Sequence, residues 1–204
     1  METDIELWEL NAPAFTKAIP ALLDVYVHAM KPPSDQLSGR RAIMERHAHL
    51  PRFHCVLAAL PGGEATVGFA YGFHGQEGQW WHDVVTDELR LYDPAAVHQW
   101  FSDSFEVAEV HVHPQWQGQG VGRRMLERLT AQRRERTAVL STPSNATPAH
   151  GLYHSYGFIE ILTNFHFPGS PHQAFTVMAA WLPLRRERGR RRPADRSRGW
   201  RWTG

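Results

Sequence analysis

The chain has 204 residues, 42% of them apolar, and a single cysteine, Cys55. That is enough apolar content for a packed core, it suits one domain better than two, and a lone thiol excludes an internally disulfide-stapled fold. The net charge of +1 hides an asymmetry, because from Pro183 onward nine arginines face only Glu187 and Asp195, so that this stretch carries +7 and the remainder −6. An acidic body can draw in a cationic substrate, and a basic tail can touch an acidic partner or nucleic acid. The stretch after Met1 has neither a basic nor an apolar leader, and no apolar run approaches the ~20 residues of a membrane span. The expectation is a cytoplasmic domain over residues 1–182 and a flexible Arg-rich tail over 183–204, with no membrane contact and as monomer or homodimer.

In chain order, residues 5–10 alternate apolar and polar as a strand does. Residues 15–30 read as a helix in which Pro20 is a kink or restart, ended by Pro32-Pro33. Ser34 or Asp35 caps a second helix running to His49. Residues 53–60 and 66–74 are β-rich runs joined by Pro61-Gly62-Gly63, a hairpin signal. Residues 75–103 form an insert of one or two short helices. Residues 105–113 are a strand ended by Pro114. Residues 120–136 are an amphipathic helix with the stripe Val121, Met125, Leu126 and Leu129. A short buried strand over 138–141, a helix over 147–156 and strands over 158–162 and 175–182 complete the body. This order predicts an α/β (α+β) single domain, with a mixed central sheet of about seven strands and helices on both faces.

The chemistry is carried by the stretch Val110-His111-Val112-His113-Pro114-Gln115-Trp116-Gln117-Gly118-Gln119-Gly120-Val121-Gly122-Arg123. A strand enters a Gly-rich turn and the turn enters a helix, whose first N–H groups have no intrahelical acceptor and carry the positive end of the helix dipole. Phosphates bind at such ends, and glycines let the backbone approach them closely. The spacing is neither that of a Walker loop nor that of a Rossmann turn.

Gln117-x-x-Gly120-x-Gly122 resembles the (Gln/Arg)-x-x-Gly-x-(Gly/Ala) signature of the GNAT superfamily of N-acetyltransferases. Val112-His113-Pro114 is similar to the end of that family's fourth strand, and Leu152-Tyr153-His154-Ser155-Tyr156-Gly157-Phe158 to its Leu-Tyr-x-x-x-Gly-Phe segment. The element order agrees over 5–182, leaving the insert and the tail uncovered. The resemblance implies acetyl transfer from acetyl-CoA to a primary amine, small molecule or peptide, by direct attack in a ternary complex and without a metal. It implies that the backbone of Gln117, Gly118, Gln119, Gly120, Val121 and Gly122, together with Arg123, holds the CoA pyrophosphate. It further implies that Val110 and Val112 pair with the pantetheine arm where the sheet splays, that Asn145 contacts the arm or thioester, and that Tyr153 protonates the departing thiolate.

An amine must lose its proton before it attacks, so a base is needed. Period-two alternation sets Glu109, His111 and His113 on the face opposite Val110 and Val112. Glu109 is the first candidate, matching the acidic residue of many relatives. His111, whose side chain type changes charge near neutral pH, is second, and Glu106 third. His111 and His113 also share a face that could invite a metal, though no partnering Cys or acidic set accompanies them. In the insert, Trp80, Trp81, His82, Asp83, Asp87 and Glu88 suggest an aromatic, acidic pocket for a cationic amine. Two rival readings remain: an acyl-CoA-binding sensor or scaffold without turnover, and a nucleic-acid contact through the tail, where Trp200 and Trp202 flank Arg201. The acidic body offers no basic groove to support the second.

Overall fold

A computed structural model describes residues 4–33, 37–145 and 148–186. Ser34 and Asp35, the expected helix cap, and the Arg-rich stretch from Glu187 onward lie outside these residues. Seven strands form one sheet in the order β1-β2-β3-β4-β5-β7-β6. They are β1 (Glu6–Leu10), β2 (His54–Ala59), β3 (Thr66–Gly75), β4 (Ser104–Val112), β5 (Thr137–Pro143), β6 (Ile159–Phe165) and β7 (Phe175–Trp181). All pairs are antiparallel except β4 with β5. The helices are α1 (Ala12–Met30), α2 (Leu37–His47), α3 (Trp80–Tyr92), α4 (Pro94–Phe101), α5 (Val121–Thr130) and α6 (Pro148–His154). The expected mixed sheet with helices on both faces is present.

Alternation along the strands divides the core. On one face Val56, Ala70, Phe105, Val107, Leu140 and Met178 pack under the buried stripe of α5, Val121, Met125, Leu126 and Leu129, and under Tyr153 of α6. Leu182 and Leu184, on either side of Pro183, join this cluster. On the opposite face α1 and α2 cover Cys55, Phe69, Tyr71 and Phe73. There α3 and α4 cover Val139, Val177 and Ala179. The insert is therefore two helices completing a layer of the core.

Local chemistry explains the boundaries. Asn11 caps α1 by accepting from the Ala14 N–H at 3.0 Å, and Lys31 ends it in the left-handed region before Pro32-Pro33. Pro20 neither stops nor restarts α1, which continues through it. The largest boundary error of the sequence reading is in α5, which ends at Thr130 rather than Arg136. Glu135 is pulled into the interior by Arg133 at 2.8 Å and Arg52 at 3.4 Å, and this ion network outweighs continuation of the helix.

The decisive feature is between β4 and β5, which pair only over Ser104–Glu106 and Thr137–Val139. Beyond that point the two strands part. In β4 the register to β3 slips between Tyr71 and Gly72, leaving Ala108 as the extra residue of a bulge. A bulge bends and twists its strand, which carries β4 away from β5. Gly72 makes it possible, since a Cβ there would lie 2.2 Å from the Glu106 carbonyl oxygen and 2.6 Å from the Phe105 ring. A Gly72→Ala substitution must move backbone, and we expect it to destabilise the fold by about 3 kcal/mol, measured by urea unfolding. Wild-type stability in that variant would mean that the bulge is not tightly held.

Candidate active site

The turn between β4 and α5 is shaped by two glycines in the left-handed region, Gly118 at φ +76° and Gly120 at φ +79°. Gly120 is the N-cap of α5, and the first helical bond runs from the Arg124 N–H to its carbonyl at 3.0 Å. The amides of residues 118–123 make no hydrogen bond to protein among the described residues. Six free donors at a helix start are an anion cradle. The Arg123 guanidinium folds back over it, with one nitrogen 3.3 Å from where a Cβ of Gly120 would stand. Gly122 faces Val112 and Leu152 at van der Waals distance, so the two glycine-containing motifs meet there. Gln117 and Gln119 support the turn, their side-chain amides donating to the Val112 carbonyl at 2.9 Å and the Gln115 carbonyl at 3.0 Å.

From the cradle the open edge of β4 leads down into the gap. The His113 N–H donates to the Val67 carbonyl of β3 at 2.8 Å, and the His111 carbonyl faces Gly68 of the same strand. Alternation then turns the N–H and C=O of Val110 and Val112 toward the gap. Gln117 occupies the Val112 carbonyl, which leaves Val110 and the Val112 N–H to pair with an extended ligand. Asn145 is exposed at the bend after β5.

Glu109 and His111 are joined, with His111 Nε2 donating to Glu109 Oε2. Glu109 is 8% exposed, so it is a buried carboxylate and not a solvated strand residue. Its second oxygen accepts from Arg40 Nη1 at 2.5 Å, and Arg40 Nη2 donates to the Tyr26 hydroxyl at 3.0 Å. Burial pushes the Glu109 carboxyl up, but His111, Arg40 and His47 outweigh it and hold the group below its ordinary range. Glu106 differs: it is buried, its Oε2 has no hydrogen-bond partner among the described residues, and burial pushes its carboxyl up to about 8. The bulge puts Glu106 and Glu109 on one face, although they are three residues apart.

Tyr153 lies on α6, buried, with its ring 5.6 Å from that of Phe158. Burial first, and the charge of Glu109 second, push its phenol up to about 12. Tyr153 and Glu109 belong to opposite faces of the sheet. The His113 ring lies tilted against that of His28 of α1 at 4.7 Å, and no metal-capable group of three or more His, Cys, Asp or Glu occurs among the described residues. No helix among them is long and apolar enough to cross a membrane.

The six insert residues do not assemble into one pocket. Asp83 takes the Gly78 N–H and pairs with His82, Asp87 pairs with Arg90 on the surface, and Trp80 lies against Phe167. Only Trp81 reaches the gap, donating its indole N–H to Ser141 Oγ of β5 at 3.1 Å. A depression of about 350 Å³ between α3 and α4 is lined without Glu109, and another of about 460 Å³ lies among Ser144, His154, Glu160 and Thr176. Sequence reasoning missed Tyr26, Arg40, His47 and Tyr71, which pack around Glu109 from α1, α2 and β3. No local signal marks them, since Arg40 is 69 residues from its carboxylate.

Comparison with known proteins agrees with this geometry. Residues 53–160 match the family model of the acetyltransferase (GNAT) domain. The chain is 32% identical to a GCN5-like protein acetyltransferase of Mycobacterium tuberculosis, across 79% of this chain and 90% of that protein. In fold it is similar to the ribosomal-protein-S18-alanine N-acetyltransferase of Escherichia coli, with a TM-score of 0.59 at 18% identity over 91% of this chain and 98% of that one. It is also similar to an acetyltransferase of Salmonella typhimurium solved with its cofactor acetyl-CoA, with a TM-score of 0.58 at 20% identity over 87% and 94%. The strand–glycine turn–helix cradle, the parted strands beside it and these matches together make the chain a member of the GNAT acetyltransferase family, an acyltransferase whose co-substrate is acetyl-CoA.

Proposed function

We propose that the chain is an N-acetyltransferase that moves the acetyl group of acetyl-CoA to a primary amine by direct attack in a ternary complex. The observation that carries this reading is the gap between β4 and β5, bordered by the free amides of residues 118–123, by the Glu109–His111 pair and by Tyr153. The diphosphate sits on those amides with Arg123 beside it, and the pantetheine arm adds to the open edge of β4 at Val110 and Val112 as a strand would. Asn145 meets the arm from the β5 side.

The amine nitrogen attacks the thioester carbon, the C–S bond breaks, and the products are the amide and the free thiol. The amine proton goes to His111. Because Glu109 as a carboxylate can only accept, His111 Nε2 is the donor and Nδ1 is left as the proton acceptor. Glu109 thereby becomes the residue that orients the base rather than the base itself. Tyr153 gives its proton to the sulfur and recovers one from solvent, to which His111 releases the amine proton. A phenol raised to about 12 is a weak donor, but the proton arriving on the Glu109–His111 pair cancels the negative charge that helps to raise it. Acid strength at Tyr153 therefore grows as the amine is deprotonated. Trp81 and Arg40 flank the acceptor side.

A second assignment of the base has its own observation: the unpartnered oxygen of Glu106 and its raised carboxyl. The likeness to a protein acetyltransferase makes peptide N-termini and lysines the first acceptors to try, beside small amines. The test is acetyl-CoA-dependent thiol release with a panel of both. Turnover with at least one amine is expected, and acetyl-CoA binding without turnover on the whole panel would leave a sensor. His111→Asn should lower kcat at least tenfold at unchanged acetyl-CoA affinity. If Glu106→Gln does so instead, the proton goes to Glu106.

A further inference from the structure

The geometry points to Arg40 as a positioning residue for acetyl transfer, acting through Glu109 on the His111 imidazole; this rests on the role given to His111 above. Four side chains from three elements form a closed ring. Arg40 of α2 donates through Nη1 to Glu109 and through Nη2 to the Tyr26 hydroxyl of α1. Its guanidinium also lies 4.6 Å from the centre of the Tyr26 ring. Tyr26 in turn packs edge-on against His111 at 5.2 Å, and His111 closes the circuit on the second oxygen of Glu109. A planar fork that serves two acceptors and covers a ring fixes the angle of what it holds, and a lysine cannot reproduce this.

Charge makes the ring matter to the reaction. Glu109 is buried, and a buried carboxylate needs a cation. The titratable groups around it are Tyr26 from α1, His47 from α2, Tyr71 from β3, Glu106 on its own strand and Tyr153 from α6. Burial lowers His47 to about 4, so it is neutral near pH 7. Burial pushes Tyr71 and Tyr153 up and leaves them neutral, and Glu106 adds no positive charge. Burial works against the charge of Arg40, but Glu109 and Tyr26 outweigh it, and the guanidinium stays protonated. Among the described residues Arg40 is thus the one permanent cation in contact with Glu109. With Arg40 on one oxygen, Glu109 is held with its other oxygen on His111 Nε2, which leaves Nδ1 as the free acceptor. Without it, the buried carboxylate loses its fork and the imidazole loses the partner that fixes its ring.

Fixation of α2 is a separate matter, because Met44 and Ala48 are buried in the core beside it. The experiment compares wild type, Arg40→Met, Arg40→Lys and His111→Asn in the full chain labelled with ¹⁵N-histidine. The His111 ring signals, assigned by their loss in His111→Asn, are followed from pH 6 to 9. Wild type should show one ring state with Nε2–H held on Glu109. Arg40→Met should lose it to a mixture of ring states, and Arg40→Lys should lie between. With any amine that the panel above returns, Arg40→Met should lower kcat at least tenfold at pH 7.5. Its acetyl-CoA Kd by calorimetry should stay within twofold, since the cradle lies at the far end of the gap. Unchanged ring signals in folded Arg40→Met, or in Arg40→Lys should the methionine variant not fold, overturn the inference. Full kcat in His111→Asn overturns instead the assignment of the base, whatever the Arg40 variants do.

Discussion

A Gly120→Glu variant is expected to fold and to lose acetyl-CoA binding, with an affinity at least ~10³-fold weaker, or about 4 kcal/mol. Three effects act together at this residue. Gly120 sits at φ +79°, where a side chain costs about 1–2 kcal/mol and disturbs the turn that aims the amides. A carboxylate there sets negative charge against the diphosphate at the one place where the helix dipole favours an anion. It also lies within reach of Arg123, whose guanidinium is 3.3 Å from the added Cβ, and captures the side chain that would otherwise serve the phosphates. The turn is on the surface, so the core under α5 is untouched. Calorimetry with acetyl-CoA measures the loss, and Gly120→Ala separates backbone strain from charge by binding with an intermediate affinity. Normal binding by the glutamate variant would move the diphosphate away from this turn.

Removing the Tyr153 hydroxyl is the other large effect. Tyr153→Phe keeps the ring that packs on Phe158 and inside the core cluster, so stability should barely change. If the phenol supplies the proton to the thiolate, kcat should fall about 10²-fold or more, the range of general acid catalysis, with KM for acetyl-CoA nearly constant. The loss should be smaller with an acyl donor whose thiol is more acidic, because such a leaving group needs less help. An equal loss with both donors would argue that Tyr153 positions the arm, and an unchanged kcat would remove it from the reaction. Since the Glu109 charge contributes to the raised phenol, a Glu109→Gln change should make Tyr153 more acidic while it weakens the base, and the two changes should not be additive.

The seven strands, the helix after Gly120 and the two glycine motifs were legible because their signals are local. Alternation marks a half-buried strand, the stripe Val121, Met125, Leu126 and Leu129 marks a helix face, and Gly118 and Gly120 mark a turn that needs positive φ. Boundaries were less legible where distant groups competed. Residues 131–136 continue a helical pattern, yet Arg52, more than eighty residues away, helps to draw Glu135 out of it. The contacts of the insert were not legible for a related reason: Trp80, Trp81, His82, Asp83 and Asp87 lie close in sequence, but a helix spreads them around its axis, where Trp80 meets Phe167, Trp81 meets Ser141, His82 pairs with Asp83 and Asp87 with Arg90. Glu109 was singled out and alternation set His111 on its face, yet nothing near it in sequence announced that its other oxygen belongs to Arg40.

What the sequence determined alone is therefore the order of elements, the glycine-rich turn before α5 and the residues bordering it, because each depends on backbone conformations and periodicities set within a few residues. What only the tertiary structure decided is the protonation chemistry. The bulge at Ala108 parts β4 from β5 and aligns Glu106 with Glu109, and the packing of α1 and α2 delivers Tyr26, Arg40 and His47 to that carboxylate. Charge state inside a protein is a sum over neighbours in space, and chain separations such as the 69 residues between Arg40 and Glu109 leave no trace of that sum in local pattern.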